Sequence, residues 1–452
     1  MLNNKKNCIK LGITQNCIDV FAHFSHLPYA ILLDSANSNH INSRFDIVAI
    51  EPQSTLEVKN NKSFLNNIES SDNCFEIMNN ELSHLAKTKA DYDLPFNGGW
   101  LGYFGYDLGR TIENIPTRAI EDINLPQMAI GLYLDALIYD KQQQSWFYVS
   151  QPNTDRLALY EQYLNTHANS QVNTQSFALN SDWQSNMSET EYAAKFAQIE
   201  EYLKSGDCYQ INLAQRFNAQ FEGSPWAAYI KLREANKAPF SSFINHPQGA
   251  ILSISPERFI SVNNNVVETK PIKGTLPRKA DALEDQRQAQ ILAASAKDRA
   301  ENVMIVDLLR NDLGKVAKPG SVHVPSLFAI ESLPAVHHLV STVTSELDEG
   351  KTAVDQLKAA FPGGSITGAP KIRAMEIIEE LEPHRRSIYC GSIGYLSACG
   401  NMDTSITIRT LVCHKAQIYC WAGGGIVADS KVELEYQETY DKVNKILPLL
   451  KQ

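Results

Sequence analysis

The sequence lacks the patterns that mark several large classes of protein. No apolar run approaches the roughly 18–20 residues that span a bilayer. The positively charged start is followed by no apolar segment of a signal peptide. The eight cysteines form no CxxC pair and no Cys–His group with zinc spacing. These absences predict a cytoplasmic protein without a membrane span, whose cysteines are buried thiols in a reducing compartment.

An excess of basic residues is also missing. The 452 residues include 41 Lys and Arg against 51 Asp and Glu, a formal net charge of −10. Phosphate binding requires clustered cations, so this balance argues against a nucleic-acid partner. Hydrophobic residues make up 43% of the chain, which is enough for a large core and excludes disorder.

The chain has no internal repeat, and its most linker-like stretch is the polar segment at about 165–187. The region before it, 1–165, has mainly the pattern of strands. The region 186–452 mixes helices and strands without strict βαβ alternation, which favours the α+β class. No Gly/Ser linker separates the two regions.

Several elements can be predicted from local patterns. Ser188 and Glu191 form a capping box that begins a helix, and Gly206 ends it. A second capping box, Ser430 with Glu433, predicts the start of the last helix. The run KDRAENVMIVDLLRNDLG predicts a buried helix. The segments AIGLYLDALIYD, ILSISPERFI and DTSITIRTLVC are each predicted to be one strand, since each is rich in β-branched and aromatic residues.

Two pairs of carboxylates lie at helical spacing. Asp298 and Glu301 share one helix face, Glu435 and Glu438 share another, and Lys442 falls on the same side as the second pair. Such pairs most often belong to a solvated face. The alternative is a Mg²⁺ site, and Glu301 favours it because the residue leads into the apolar run NVMIVDLL.

Other charged residues stand in strand-like segments. Lys273, between Ile272 and Gly274, is either a snorkelling surface lysine or a desolvated amine nucleophile. Glu257 and Arg409 present the same choice between solvent and a site. The run Gly423–Gly425 is either a tight turn or an anion-binding backbone, and it is not the GxGxxG fingerprint.

Seven segments together resemble one known family. They are, in order, SPERF, PIKGTLPR, AENVMIVDLLRNDLG, FPGGSITGAPK, CGSIGYLS, NMDTSITIRT and AGGGIVADS. The chain resembles the chorismate-utilising enzymes, which form anthranilate, isochorismate, salicylate or 4-amino-4-deoxychorismate. The resemblance implies a single α+β unit over 1–452. Its fold is that of component I of anthranilate synthase, a large two-sheet β-sandwich with helices packed outside.

The resemblance also implies a site. The family's Mg²⁺ ligands fall on Glu301 and Glu438, with Asp298 and Glu435 as neighbours or water-mediated ligands. Its general acid falls on Glu257. Its substrate-binding positions fall on Gln210, His338, Ser365, Tyr389, Arg409, Gly423, Gly425 and Lys442.

Two positions select a branch of the family. Isochorismate- and salicylate-forming members have a general-base Lys where this chain has Gln210, and anthranilate-forming members have Ala where it has Lys273. The PIKGT version is similar to the branch that makes 4-amino-4-deoxychorismate, the precursor of p-aminobenzoate and folate. The alternatives are an anthranilate-forming enzyme and a non-catalytic homologue. The complete set of charged site residues argues against the second.

The resemblance implies partners as well. The sequence shows no Cys–His motif of a glutaminase, so a separate glutamine amidotransferase subunit is expected to supply ammonia. The N-terminal region also aligns with the family's tryptophan pocket, where a bound tryptophan is expected to be structural. Its candidate residues are Asp34, Ser35, Arg44, Phe45, Pro239 and Phe240. Asp34 departs from the residue that the family often has at its position.

Overall fold

The computed structural model describes residues 7–38, 40–87, 93–166, 176–332 and 336–451. In these ranges the chain forms two antiparallel sheets surrounded by helices. The strands are β1 Cys8–Leu11, β2 Ala30–Asp34, β3 Phe45–Ala49, β4 Ser54–Lys59, β5 Lys62–Leu65, β6 Ile68–Ser70, β7 Gly99–Phe104, β8 Met128–Tyr133, β9 Asp135–Asp140, β10 Ser145–Ser150, β11 Phe177–Leu179, β12 Gln184–Ser185, β13 Gln210–Gly223, β14 Phe240–His246, β15 Gly249–Ser255, β16 Arg258–Asn263, β17 Val266–Thr269, β18 Ile272–Pro277, β19 His323–Ser332, β20 Val336–Glu346, β21 Gly368–Ala369, β22 Ser392–Ser397, β23 Met402–Ile406, β24 Thr410–His414 and β25 Gln417–Ile426.

The helices surround the sheets. They are α1 Cys17–Ala22, α2 Cys74–Ser83, α3 Leu157–Thr166, α4 Glu189–Ser205, α5 Pro225–Asn236, α6 Ala282–Ala294, α7 Ala296–Gly314, α8 Ala353–Ala360, α9 Lys371–Leu381, α10 Val432–Asp441 and α11 Leu447–Lys451. Two 3₁₀ turns cover Tyr106–Thr111 and Gly364–Ile366. Among the described residues, no helix combines the length and apolar character that a membrane crossing requires.

Both regions of the chain contribute strands to both sheets. The first sheet runs β1-β10-β9-β3-β2-β14-β15-β24-β25-β13-β11, with β12 and β21 also paired to β13. The second runs β18-β20-β17-β16-β23-β22-β7-β8-β4-β5-β6, with β19 paired to β20. Of the predicted linker, 167–175 lies outside the described residues, and the rest contributes β11 and β12. How the chain divides into units stays a prediction.

The main core lies between the sheets, which confirms the predicted α+β sandwich. The largest buried cluster includes Ile31 and Ile251 of the first sheet together with Leu132 of the second. The next residues along those first-sheet strands, Leu32 and Leu252, belong to another cluster that includes side chains of α1, α5 and α11. Successive strand residues face opposite ways, so the first sheet is covered on both faces.

Three segments predicted as single strands are each two strands, so those predictions were wrong. AIGLYLDALIYD forms β8 and β9, ILSISPERFI forms β15 and β16, and DTSITIRTLVC forms β23 and β24. In each case the chain leaves one sheet and enters the other. The apolar pattern continues across each break because the strands on both sides of it are buried.

Local capping signals gave mixed results. The capping box of Ser188 with Glu191 is present, and Gly206 ends that helix in the left-handed conformation, as predicted. The second predicted box is wrong, because α10 is preceded by Lys431 without a side-chain cap. Ser430 instead donates a hydrogen bond to Glu435.

The helix predicted to be buried, α7, buries only one face, and Val303 on it is 47% exposed.

Candidate active site

Two adjacent chain passages connect the sheets at one place. Glu257 lies between β15 and β16, and Arg409 lies between β23 and β24 with a φ of 51°. The passages are hydrogen-bonded to each other: the Ile406 amide donates to the Glu257 carbonyl at 3.0 Å, and the Ile254 amide donates to the Arg409 carbonyl at 3.1 Å. The Ser255 hydroxyl adds a bond of 2.6 Å to the Ile406 carbonyl. The crossing therefore holds a carboxylate and a guanidinium side by side.

Glu257 has the electrostatics of a proton donor. Burial raises the pKa of its carboxyl to about 7, so the protonated form is populated near neutral pH. Three cations oppose that rise in pKa, namely Lys273, Lys442 and Arg409. The residue as a whole is only partly buried, so water still reaches its surroundings.

Lys273 lies at an irregular point of β18. The pairing with β20 shifts between Lys273 and Thr275, and the intervening Gly274 has a φ of 70°. A Cβ at Gly274 would lie 2.8 Å from the Asp298 carboxylate carbon, so this close approach requires glycine. Burial lowers the pKa of the Lys273 ammonium, while the charges of Glu257 and Glu301 oppose the change. A lowered pKa increases the fraction of free amine.

The two predicted carboxylate pairs face the same region from α7 and α10. Burial raises the pKa of Glu301, and the nearby charges of Asp298 and Glu435 raise it further. Burial also raises the pKa of Glu435, with a contribution from Glu438. A Cβ at Gly424 would lie 3.0 Å from the Glu435 carboxylate and 3.5 Å from that of Glu438. The structure therefore places the two pairs within electrostatic reach of each other.

Three of the four carboxylates have a cationic or hydroxyl partner, and Ser430 is the hydroxyl partner of Glu435. Lys297 lies 3.9 Å from Glu301, and the Lys442 ammonium lies 2.6 Å from Glu438. Among the described residues, no three Cys, His, Asp or Glu side chains are already grouped around one metal position. Oxygen donors of this kind nevertheless suit a hard cation such as Mg²⁺, which keeps several waters. By donor chemistry the four carboxylates fit the ion.

Arg409 and the three glycines are the residues predicted to bind the anionic groups of the substrate. In the part of the chain that the structure describes, no acidic side chain forms an ion pair with Arg409. Gly423, Gly424 and Gly425 lie near the end of β25 and pair with Ala214, Leu213 and Asn212 of β13. A Cβ at Gly425 would lie 2.7 Å from the Gln210 side-chain nitrogen.

The other predicted substrate-binding residues have the following surroundings. The Gln210 side chain is 1% exposed, and neither of its polar atoms has a partner among the described residues. His338 shares a hydrogen bond of 2.8 Å with Thr275, and burial together with Arg409 lowers its pKa.

The Lys442 ammonium donates to the Gly423 carbonyl at 2.7 Å. Tyr389 is buried with its ring parallel to Trp421, and Ser365 is in the second 3₁₀ turn.

The residues predicted to line a tryptophan-binding pocket lie elsewhere in the structure. Most of them surround a cavity of about 90 Å³, which we call the Asp34 cavity. Its lining includes Asp34, Ser35, Phe45, Pro239 and Phe240, together with residues of β22 and β23. The sixth candidate, Arg44, is not in the lining, because its guanidinium pairs with Asp140 at 3.0 Å.

Two residues near Asp34 were missed from the sequence. Arg233 and Tyr229 of α5 both bind the Asp34 carboxylate, the tyrosine at 2.9 Å. Asp46 accepts hydrogen bonds from Ser35, and burial raises its pKa to about 6. Helical spacing places Arg233 and Tyr229 on one face, but nothing in the sequence directs that face to Asp34.

This fold and this arrangement of charges define a class. The chain belongs to the chorismate-binding enzyme family, whose pattern matches residues 28–448. It is similar to aminodeoxychorismate synthase component 1 of Escherichia coli K12, with 55% identity over 96% of this chain and 95% of the relative. The protein of that name from Streptomyces lividans is 37% identical over 93% of this chain and 89% of the relative.

Solved structures show the same architecture. Anthranilate synthase component I from Streptococcus pneumoniae superposes with a TM-score of 0.80 at 30% identity, covering 97% of this chain and 99% of that one. The menaquinone-specific isochorismate synthase of Escherichia coli gives 0.75 at 18% identity, covering 98% and 94%. At that identity the second likeness concerns the fold alone.

Proposed function

We propose that this chain is component 1 of an aminodeoxychorismate synthase and converts chorismate and ammonia to 4-amino-4-deoxychorismate and water. The observation that carries the proposal is that Lys273 and Glu257 lie close to each other. The site thus combines an amine whose pKa is lowered with a carboxyl whose pKa is about 7. The near full-length similarity to enzymes of that name supports the same reaction.

The proposed chemistry has two displacements. The Lys273 amine forms a bond to C2 of chorismate, the ring double bonds shift, and the C4 hydroxyl leaves as water with the proton of Glu257. Ammonia then forms a bond to C4, the double bonds shift back, and the bond between C2 and Lys273 breaks. Glu257 recovers a proton from the incoming ammonia. The covalent step divides one difficult displacement into two easier ones.

Binding of chorismate uses both sides of the site. Arg409 and the N–H groups at Gly423 and Gly425 suit its carboxylates, because charge-assisted bonds to planar anions are strong. Tyr389, Ser365, His338 and Lys442 complete the contacts. Gln210 faces the ring as an amide, which cannot serve as the base that activates water, so hydration at C2 is disfavoured.

Magnesium belongs to the same proposal. Glu301 and Glu438 would hold the ion directly, with Asp298 and Glu435 as neighbours or through water. When bound, Mg²⁺ supplies positive charge that offsets the repulsion between these carboxylates and dianionic chorismate. These four acidic residues account for part of the net charge of −10, so that part of the charge is concentrated in one site.

The name component 1 implies a partner component in the relatives. For this chain we propose a glutamine amidotransferase subunit that supplies ammonia. We also propose tryptophan as a structural occupant of the Asp34 cavity, which heat denaturation followed by mass spectrometry of the released small molecules would detect. Seven of the eight cysteines are buried, and such thiols fit a cytoplasmic location.

The direct test incubates purified protein with chorismate, Mg²⁺ and an ammonium salt, and separates the products by chromatography. The expected product is 4-amino-4-deoxychorismate, which retains the enolpyruvyl group, so a separate lyase is needed to make p-aminobenzoate. Anthranilate or isochorismate as the main product would contradict the proposal. A binding-only homologue would give no product although chorismate bound.

A further inference from the structure

One fully buried arginine connects several segments beneath the candidate active site. Arg386, which follows α9, is 1% exposed. Its guanidinium binds both oxygens of Glu382, at 2.9 and 2.6 Å. It also donates to the Ile366 carbonyl at 3.0 Å and to the Asn212 carbonyl at 2.8 Å. Four hydrogen bonds thus extend from one planar group to three separate parts of the chain.

Each of those parts adjoins a residue with a proposed chorismate contact. Asn212 is the strand partner of Gly425, and Ile366 directly follows Ser365. Glu382 accepts a hydrogen bond of 2.9 Å from the Ala214 amide, and Ala214 is the strand partner of Gly423. The ion pair therefore fixes β13 at two points, directly beside the glycines of β25 in the same sheet.

The same guanidinium also contacts an aromatic side chain of the site. Its central carbon lies 5.7 Å from the centre of the Tyr389 ring and 4.9 Å from that of Tyr106. The Tyr389 amide donates to the Arg386 carbonyl at 2.9 Å. Side chain and backbone of Arg386 thus both determine where the tyrosine ring lies.

We propose that Arg386, held by Glu382, is a positioning residue that sets the chorismate carboxylate side of the site. The inference rests on the proposed function for its catalytic consequence. Stability alone is a weak reason for such a pair, since apolar replacements of buried ion pairs are often neutral or stabilising. Lysine could not replace the arginine, because one ammonium cannot span three acceptors in fixed directions.

The test compares Arg386→Lys with Arg110→Lys. Arg110 is a matched control, since it is also buried and pairs with two carboxylates, those of Asp107 and Glu379. Its hydrogen-bond partners among the described residues, which are Asp107, Glu379 and the carbonyls of Ile115 and Pro116, have no proposed chorismate contact. For Arg386→Lys we expect the Kd and KM for chorismate to rise about tenfold, on the scale of one lost charge-assisted hydrogen bond. We expect kcat and its pH profile to change far less, because Lys273 and Glu257 are untouched.

The control should lower the melting temperature while leaving Kd unchanged. If Arg386→Lys also lowers only the melting temperature, the positioning role is overturned. Should Arg386→Lys fail to fold, Glu382→Gln serves instead, with an expected rise in Kd of about threefold from a weakened bond. An unchanged Kd in that folded variant would equally overturn the inference.

Binding and turnover separate this inference from the proposed function. Chorismate affinity is measured without ammonia, from the fluorescence of the tryptophans. If the wild-type protein binds chorismate but makes no aminodeoxychorismate, the proposed function fails. The comparison of chorismate affinities still tests whether Arg386 positions the binding site. If the wild-type protein makes the product and Arg386→Lys binds chorismate normally, only the positioning role fails.

Discussion

The candidate active site and the Asp34 cavity both contain buried charge, but they use it differently. In the cavity, the Asp34 carboxylate is satisfied by the protein through Arg233, Tyr229 and the Ala36 amide. In the candidate active site, the side chains of Glu257, Lys273 and Arg409 form no ion pair or hydrogen bond with another described residue, although the charge of Glu257 raises the pKa of both cations against the effect of burial. A buried charge that is satisfied within the protein is costly to deprive of its partner, whereas an unsatisfied charge remains available to a ligand.

The strongest test of this contrast is Lys273→Ala. We expect formation of aminodeoxychorismate at saturating ammonium to fall about a thousandfold, the scale on which loss of a nucleophile acts. Folding should be nearly unaffected, because the lysine forms no ion pair or hydrogen bond with another described residue. Product chromatography and thermal unfolding measure the two effects. The control is Lys270→Ala, which changes a nearby lysine that pairs with Glu331. A near-normal rate in Lys273→Ala would rule out the covalent route.

The opposite behaviour is expected for Arg233→Met in the Asp34 cavity. Removing this partner leaves Asp34 buried and charged, which should lower the free energy of unfolding by about 3 kcal/mol. The rate constant of the folded fraction should stay near normal. Urea denaturation and steady-state kinetics measure both quantities. A variant with normal stability but impaired turnover would reverse the contrast.

Glu257→Gln examines the proton donor. Because the raised pKa makes the carboxyl protonated below about pH 7, wild-type kcat should decline as the pH rises through that value. The amide carries no transferable proton, so kcat should fall about a hundredfold and its decline with pH should disappear. Rates from pH 5.5 to 8.5 provide the measurement. An unchanged pH profile in the variant would assign the titration to another group.

Magnesium removal is expected to have the smallest effect. With EDTA, the Kd for chorismate should rise about tenfold, or roughly 1.4 kcal/mol, because the four carboxylates then repel the dianion. Glu301→Gln should weaken Mg²⁺ binding itself, measured by calorimetry without substrate. Asp307→Asn, an exposed carboxylate on the same helix that pairs with Arg310, is the control. Metal-independent chorismate affinity would contradict the proposed role of the ion.

The sequence predicted those parts of the fold that depend on local signals. The helix that begins after Ser188 was found because its capping box and its final Gly206 are local. The sheet crossings at Glu257 and Arg409 were not found, because a strand buried in one sheet has the same apolar composition as one buried in the other. Which sheet a strand joins depends on pairing between distant segments.

The site shows a similar division. Chemical reasoning singled out Lys273 and the carboxylate pairs, and the resemblance supplied roles for them that stay predictions. Arg386 was missed because its neighbour Arg385 looks the same in sequence, yet Arg385 pairs with the partly exposed Glu121. Only the fold shows which of the two adjacent arginines reaches β13. Likewise, the serine expected to cap the last helix binds a carboxylate of the site instead.

The paired crossing between the sheets has an evolutionary consequence. Because the passages at Glu257 and Arg409 are bonded to each other, we expect the proposed proton donor and the proposed anion-binding arginine to move as one unit. A substitution of Lys273 during evolution, which would remove the proposed nucleophile, is therefore expected to leave the spacing between Glu257 and Arg409 unchanged.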